Sequence, residues 1–324
     1  MKNMKKWTIG IVNFRSAIYM KWQLKILYEF NCYKDFNLII VDNTNDDCEY
    51  DLLSKMCAPY IKSYRNLEII KNNKDVNELK EIYGDRFFVS GHHGQGVNMI
   101  FDIAKETSKY LLIQDPDFFY VKKNYLRIFE QLHEKGNVSI GAPYPEGVAW
   151  GDPFYPEAYG CSYVISYLDN ISFTPGLATD GEMEIFNKKY NKKYLWWGFD
   201  VGWRIRKDHS DKPFISFDQR ICDELIKKLG QQFRSKPFEY KLKGSIIGYH
   251  LNGGTRHPKE KKEYVEKYSP EQLNQIYDEW QATREKYSRY FYDMISGNLG
   301  FYFSVKNNFS KARYFVGLFF TKLK

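Results

Sequence analysis

Residues 110–117 read Tyr-Leu-Leu-Ile-Gln-Asp-Pro-Asp. Tyr110–Ile113 is a short apolar run closed by turn formers, the pattern of a strand buried on both faces. Asp115 and Asp117 follow at its carboxyl end, two positions apart. Alternate side chains share a face in extended backbone, so both carboxylates can face one divalent cation. Hard oxygen ligands suit Mg2+ or Mn2+, and such an ion can hold a diphosphate. An Asp-Pro-Asp turn is also an ordinary helix cap, so the stretch takes its meaning from its surroundings.

Upstream, strand and helix signals alternate. Thr8–Phe14 (TIGIVNF) is a buried strand, and Ala17–Phe30 places apolar residues at helical spacing. Asn37–Val41 (NLIIV) is a second strand, ending in Asp42-Asn43. A helix near Tyr50–Tyr60, a strand at Leu67–Ile70, a helix near Val76–Tyr83, a strand at Arg86–Val89 and a helix over Gly94–Ser108 complete the series. Short connections between alternating strands and helices predict a mostly parallel sheet covered on both faces. Ligands of such sheets bind beyond the carboxyl ends of the strands. Asn13, Asp42, Asp115 and Asp117 all fall there.

Downstream the character changes. Residues 141–160 (GAPYPEGVAWGDPFYPEAYG) are rich in Pro, Gly and aromatics and predict an irregular, functional segment. A helix is expected over Gln219–Leu229, closed by Gly230. A strand at Ser245–Tyr249 leads into the polar loop His250–His257, and a polar helical stretch runs from beyond Pro258 to about Met294.

The chain has 324 residues, 43% hydrophobic and 27% charged, enough for a sizeable core in one large domain or two intimate ones. Aromatics at 18% exclude disorder and collagen, and together with a net charge of +8 they suggest an anionic, sugar-like or lipid-surface partner. Nucleic acid is not expected, because no Lys/Arg stripe is interleaved with the aromatics of the first half. Five scattered cysteines with no C-x-x-C pair point to reduced thiols in the cytoplasm and against a thiolate zinc site. The apolar run after Lys6 is too short for a signal peptide core. No apolar stretch approaches the ~20 residues of a membrane-spanning helix.

Four segments carry a family resemblance: Ile11-Val-Asn-Phe-Arg-Ser16, Leu38-Ile-Ile-Val-Asp-Asn-Thr-Asn45, Gly94-x-Gly96-x-Asn98 with Ala104, and Tyr110–Asp117. In this order they resemble the motifs of family 2 glycosyltransferases of the GT-A fold, most closely the rhamnosyltransferase-like pattern. The resemblance covers residues 8–120 and fades beyond. It implies an α/β, Rossmann-like GT-A domain with a C-terminal helical extension. Residues 1–125 would form the nucleotide-sugar-binding half, 126–258 the acceptor-binding and catalytic half, and 259–324 a basic-aromatic extension.

The resemblance also assigns roles. Asp42 with Asn43 would contact the nucleobase or ribose of a UDP-, GDP- or dTDP-sugar, with Asn13 beside them. Asp115 and Asp117 would anchor Mn2+ or Mg2+ and the diphosphate, and His250 would complete the metal or phosphate site. Asn98 and the His92-His93-Gly94 turn would line the donor pocket, where a helix starting near Gly94 also suits an anion. Arg256 and His257 would add positive charge near the diphosphate. Trp196–Arg206 resembles the acceptor-side G-x-E-D-x-D-L-x-x-R segment, which puts Asp200 in the place of the general base of an inverting reaction. Phe199 and Gly202 depart from that pattern, and Asp218 is the competing base. The acceptor would be a glycan, with a lipid-linked one as an option.

Trp150, Tyr155, Tyr159, Trp196, Trp197 and Trp203 are candidates to stack on sugar rings. Asp152, Glu157, Asp180 and Glu182 read as loop acids, any of which could hold acceptor hydroxyls. Two other readings stay open: a sugar-phosphate nucleotidyltransferase, disfavoured by the lack of a basic Gly-rich loop after the first strand, and an inactive carbohydrate- or membrane-binding module. Residues 294–324 hold five basic residues, no acid and eight aromatics. That composition fits peripheral membrane contact, with a helix docked on the domain as the rival reading.

Overall fold

The computed structural model describes residues 4–44, 46–84, 91–136, 139–141, 161–166, 168–171, 175–191, 201–208, 212–229, 236–251 and 262–297. The chain begins with β1 (Lys5–Asn13), α1 (Ala17–Phe30), β2 (Phe36–Asp42), α2 (Asp47–Tyr64), β3 (Leu67–Lys71), α3 (Val76–Tyr83), α4 (His92–Thr107) and β4 (Ser108–Gln114). β5 (Phe118–Tyr120), α5 (Tyr125–Glu134), β6 (Ser139–Gly141), β7 (Ser162–Ser166), α6 (Asp180–Tyr190) and α7 (Trp203–Asp208) follow. Then come β8 (Phe214–Ser216), β9 (Asp218–Ile221), α8 (Asp223–Leu229), β10 (Phe238–Leu242), β11 (Ser245–His250), α9 (Lys262–Lys267) and α10 (Pro270–Ser296).

Among the described residues, one sheet has seven strands in the order β3-β2-β1-β4-β7-β6-β8. β3, β2, β1 and β4 run parallel, as alternation of strands and helices requires. β7 is antiparallel to β4 and β6, and β8 is again parallel to β6. The sheet is therefore mostly parallel with one reversed strand. Side chains alternate between two cores. Ile9, Ile11, Leu38, Ile40, Tyr110 and Leu112 pack with α1 and the C-terminal helix on one face. Val12, Ile39, Val41, Leu111 and Ile113 pack with α4 on the other.

A second sheet, β5-β11-β10-β9, is antiparallel and was not expected from the sequence. It corrects one element: Gln219–Ile221, expected to open a helix, is strand, and the helix begins at Asp223. Pairing of Arg220 with Glu239 across to β10 holds that stretch extended. The expected strand at Arg86–Val89 lies outside the described residues.

The polar stretch after Pro258 contains α9 and the long α10. Ser269 and Gln272 form a reciprocal capping box at the start of α10, with Pro270 in the first turn, and Gly297 (φ +85°) ends it in left-handed backbone. Trp280, Arg284, Tyr287, Phe291 and Ile295 recur every three or four residues and are buried. They lie against α1, where Lys21 pairs with Glu285 at 2.7 Å and the Tyr292 hydroxyl donates to Glu29 at 2.6 Å. All five cysteines are free; Cys57, Cys161 and Cys222 are buried, and Cys32 and Cys48 are exposed.

Candidate active site

The parallel register puts Asn13 beside Asp42 at the carboxyl edge of the sheet. Both side chains are buried. Asn13 Nδ2 donates to Asp42 Oδ1 at 2.8 Å, and the Thr44 hydroxyl donates to the same oxygen at 2.6 Å. Asp42 Oδ2 is buried with no partner among the described residues. A buried carboxylate oxygen left unpaired costs free energy, and it can accept a further donor. Asn43 is fully used: Nδ2 donates to the His92 carbonyl at 2.7 Å, and Oδ1 accepts from Asn72 Nδ2 at 2.9 Å. It ties β2 to the start of α4.

Asp115-Pro116-Asp117 forms a tight turn, with the Phe118 N–H donating to the Asp115 carbonyl at 3.1 Å. The two carboxylates converge through that turn, and not through strand alternation as the sequence suggested. Pairing of Phe118 with His250 across β5 and β11 then delivers the imidazole. His250 Nε2 lies 3.1 Å from Asp117 Oδ1 and 3.7 Å from Asp115 Oδ2. One ligand atom from each of the three residues lies within 4.8 Å of the others, so together they can hold a metal ion. His93, from the first turn of α4, comes within 3.7 Å of Asp115 Oδ1 on the other side.

The buried surroundings of His250 would lower its pKa. The hydrogen-bonded Cys161 sulfur and the Asp117 carboxylate outweigh that and hold it well above the ordinary histidine value. Burial pushes the Cys161 thiol up. Its Sγ lies 3.3 Å from the Tyr240 hydroxyl, and its carbonyl accepts the Asp115 N–H at 2.8 Å. Cys161 thus fixes the turn from β7.

Gln23 secures the same turn from α1. Its buried Nε2 lies 3.3, 2.8 and 2.8 Å from the carbonyls of Asp115, Pro116 and Phe118. Sequence reading passed over Gln23 and Cys161, as well as Thr44. A Gln on an amphipathic helix carries no local sign of what it holds; only its place on the buried side of α1 hints at a polar partner inside.

Close approaches place α4. A Cβ on Gly96 would lie 2.8 Å from Val12 Cγ1, so only Gly lets the helix sit this close to β1. Asn98 faces Gly176, where an added Cβ would meet its Oδ1 at 2.1 Å; Asn98 Nδ2 donates to the Tyr83 hydroxyl at 3.3 Å, and its Oδ1 is buried without a partner. Gly94 packs similarly on Leu177. His92-His93-Gly94 is therefore the first turn of α4 and not a loop.

Other expected residues fall elsewhere. Asp218 is exposed on β9, the edge strand of the second sheet. It pairs with Lys241, whereas His250 pairs with Phe238 at the other end of β10, so the two acidic and metal-binding regions are not brought together. Asp200, Arg256 and His257 lie outside the described residues, as do Trp150, Asp152, Tyr155, Glu157, Tyr159, Trp196 and Trp197. Gly202 donates its N–H to the Pro175 carbonyl at 2.7 Å, next to the Gly176 that faces Asn98. Trp203 is 2% exposed and packs edge-on against Phe186, so it is core and does not offer a face to a sugar. Asp180 and Glu182 open α6 and are not loop acids; Glu182 caps the helix with Thr179 and pairs with Arg204.

No protein-family model matches the chain, and no curated protein matches it. In three dimensions it is similar to the mannosyltransferase PcManGT from Pyrobaculum calidifontis in complex with GDP-Man and Mn2+, at 13% identity and a TM-score of 0.44. That match covers 66% of this chain, which spans 55% of the mannosyltransferase. Mouse xyloside xylosyltransferase 1 is similar at 13% identity and a TM-score of 0.45, covering 78% of this chain and 99% of that one. The 4-diphosphocytidyl-2C-methyl-D-erythritol synthase from Anaerococcus prevotii is similar at 9% identity and a TM-score of 0.36, over 65% of this chain and 86% of the synthase.

Proposed function

We propose that this chain is a metal-assisted glycosyltransferase of the GT-A type, moving a sugar from a nucleotide-diphosphate sugar to a glycan acceptor. The observation that carries the reading is the pairing of two features on one sheet edge. Asp115, Asp117 and His250 offer two hard oxygens and an imidazole within 4.8 Å of one another. At the carboxyl end of β2, with β1 between it and β4, Asp42 keeps a buried oxygen without a partner among the described residues. The first set suits a divalent cation with a diphosphate, and the second suits an N–H or hydroxyl of a nucleoside.

Mn2+ or Mg2+ would be held by Asp115, Asp117 and His250, and it supplies positive charge for a diphosphate leaving group. Imidazole in the set favours Mn2+ of the two. Asp42 orients the nucleoside through Oδ2, with Oδ1 fixed by Asn13 and Thr44. Asp200 is the proposed base: it takes the acceptor hydroxyl proton as that oxygen bonds to the anomeric carbon and the bond to the diphosphate breaks, with inversion. Asp218, exposed on β9 and paired at the end of β10 away from His250, is the weaker candidate, and Arg256 is proposed to face the diphosphate.

Residues 1–125 would hold the donor, 126–258 the acceptor, and 294–324 an anionic lipid surface that presents a lipid-linked acceptor. The scattered free cysteines fit a cytoplasmic location. Among the described residues no helix is long and apolar enough to cross a membrane.

Thermal-shift titration with UDP-, GDP- and dTDP-sugars, with and without Mn2+, tests the proposal. A metal-dependent shift with one donor class is expected. No shift with any donor, or turnover of a sugar phosphate with a nucleoside triphosphate instead, would overturn it.

A further inference from the structure

Arg284 of α10 is completely buried, and no carboxylate among the described residues lies within ion-pair distance of it. Its guanidinium carbon sits 4.3 Å from the Tyr19 ring centroid and 4.1 Å from that of Trp280. Nη1 donates to Gln281 Oε1 at 3.2 Å, Nη2 donates to Ser16 Oγ at 3.2 Å, and Nε has no partner among the described residues. A buried cation without an ion pair is costly, and an apolar residue would pack α10 on α1 at lower cost. The charge therefore calls for a reason beyond packing.

The contact with Ser16 supplies one. Ser16 Oγ donates to the Phe14 carbonyl at 2.8 Å, and the Ser16 N–H donates to Asn13 Oδ1 at 3.2 Å. Asn13 Nδ2 in turn donates to Asp42 Oδ1. Between them stands Arg15, a non-glycine residue in left-handed backbone (φ +49°). Such a conformation persists only where its surroundings over-determine it. Here the Arg15 N–H donates to Thr44 Oγ1 at 3.1 Å, and Thr44 closes a second path to Asp42 Oδ1. Glu49 accepts the Ala17 N–H at 2.8 Å just beyond; burial raises its pKa, and the Ala17 N–H and the Arg284 charge act against that rise. Two hydrogen-bonded paths thus enclose one strained loop, and both end on Asp42 Oδ1, whose sister oxygen Oδ2 has no partner among the described residues.

We propose that Arg284 is a positioning residue for the nucleotide end of the donor pocket, acting from the C-terminal helix through Ser16 and Asn13 on Asp42. The proposal rests on the reading of Asp42 as the nucleoside contact. Among the described residues the hydrogen bonds that run from Arg284 through Ser16 and Asn13 end on Asp42, so the nucleotide end of the pocket should respond more strongly to their loss than the metal-binding group.

Isothermal titration of the full chain with UDP, GDP and dTDP in the presence of Mn2+, and with Mn2+ alone, separates them. Ser16→Ala, a small change that should fold, and Arg284→Met are both expected to weaken nucleotide binding by about tenfold, the effect of one good hydrogen bond. Affinity of Ser16→Ala for Mn2+ alone should stay within about twofold, since the contacts of Ser16 are to Asn13, Phe14 and Arg284 and not to the metal-binding group. Variants that melt lower but bind nucleotide as tightly as wild type would reduce Arg284 to a packing role and overturn the proposal. Wild-type protein that binds none of the nucleotides would overturn the glycosyltransferase reading itself.

Discussion

Asp117 is 2% exposed, and its carboxylate meets His250 at the point where β5 joins β11. Asp117→Asn keeps the side chain's shape and removes its charge. Mn2+ affinity measured by titration calorimetry should fall by more than ~10-fold, since even supporting residues of metal sites cost that much. Glycosyl transfer should fall to background; unchanged metal affinity would mean that the cation sits elsewhere. Gln23 offers a milder test at the same scale. Its amide is the side-chain donor to the carbonyls of Asp115 and Pro116. Gln23→Leu removes the side-chain donor of the buried Pro116 carbonyl, while the Asp115 carbonyl keeps the Phe118 N–H, and should cost about 1–3 kcal/mol of stability. Its melting temperature should drop together with Mn2+ affinity, and a drop in melting temperature alone would confine Gln23 to the fold.

At the scale of elements, legibility followed the range of the interactions. α1 matched its expected Ala17–Phe30 bounds, because one buried face is written in its own periodicity. β1, β2 and β4 were also legible, each a run of apolar residues closed by a polar one at the edge where ligands bind. Of the second sheet, β11 was legible as the strand expected at Ser245–Tyr249, and the pairing of the sheet was not. Phe118–Tyr120 and Asp218–Ile221 are short, and their partners lie far along the chain, so no local pattern marks them. The candidate site shows the same division. Asp42, Asp115, Asp117 and His250 were named from sequence, whereas Gln23, Cys161 and Arg284 acquire their roles only when distant elements meet. The glycine pattern of α4 was read as a motif, and its physical content is contact distance. A Cβ on Gly96 would also lie 2.9 Å from Val12 Cγ2, so Gly96→Ala must lift α4 from β1. The expected loss is about 1–3 kcal/mol, read as a lower midpoint in urea. Gly181, in the first turn of α6, has open space around its missing Cβ, so Gly181→Ala should gain up to ~1 kcal/mol. Equal effects of the two substitutions would refute the close-approach argument.

For the whole molecule, the question is what the C-terminal region contributes. Five of its basic residues lie beyond α10, so taking them from the net +8 leaves +3 for the rest of the chain. The charge excess is concentrated in residues 306–324, while α10 belongs to the core. Trp280, Tyr287, Phe291 and Ile295 are all less than 7% exposed and join the cluster that holds α1 against the sheet. Each is worth ~1.5–3 kcal/mol of burial, and together they rival the ~5–15 kcal/mol that holds a typical domain folded. A chain ending at residue 268 should therefore show no cooperative melting transition. Ending the chain after Gly297 keeps the whole buried stripe and the residue that terminates the helix, so cooperative unfolding should persist. That shorter cut is the fair test of membrane contact, because a cut at residue 294 would remove Ile295 from the core. Co-sedimentation with phosphatidylglycerol vesicles should be strong for the full chain, weaker in high salt, and lost after the cut at 297, since basic residues beside aromatic ones bind anionic surfaces by charge and burial together. Equal vesicle binding by the full and shortened chains would place any membrane contact on the folded domain instead.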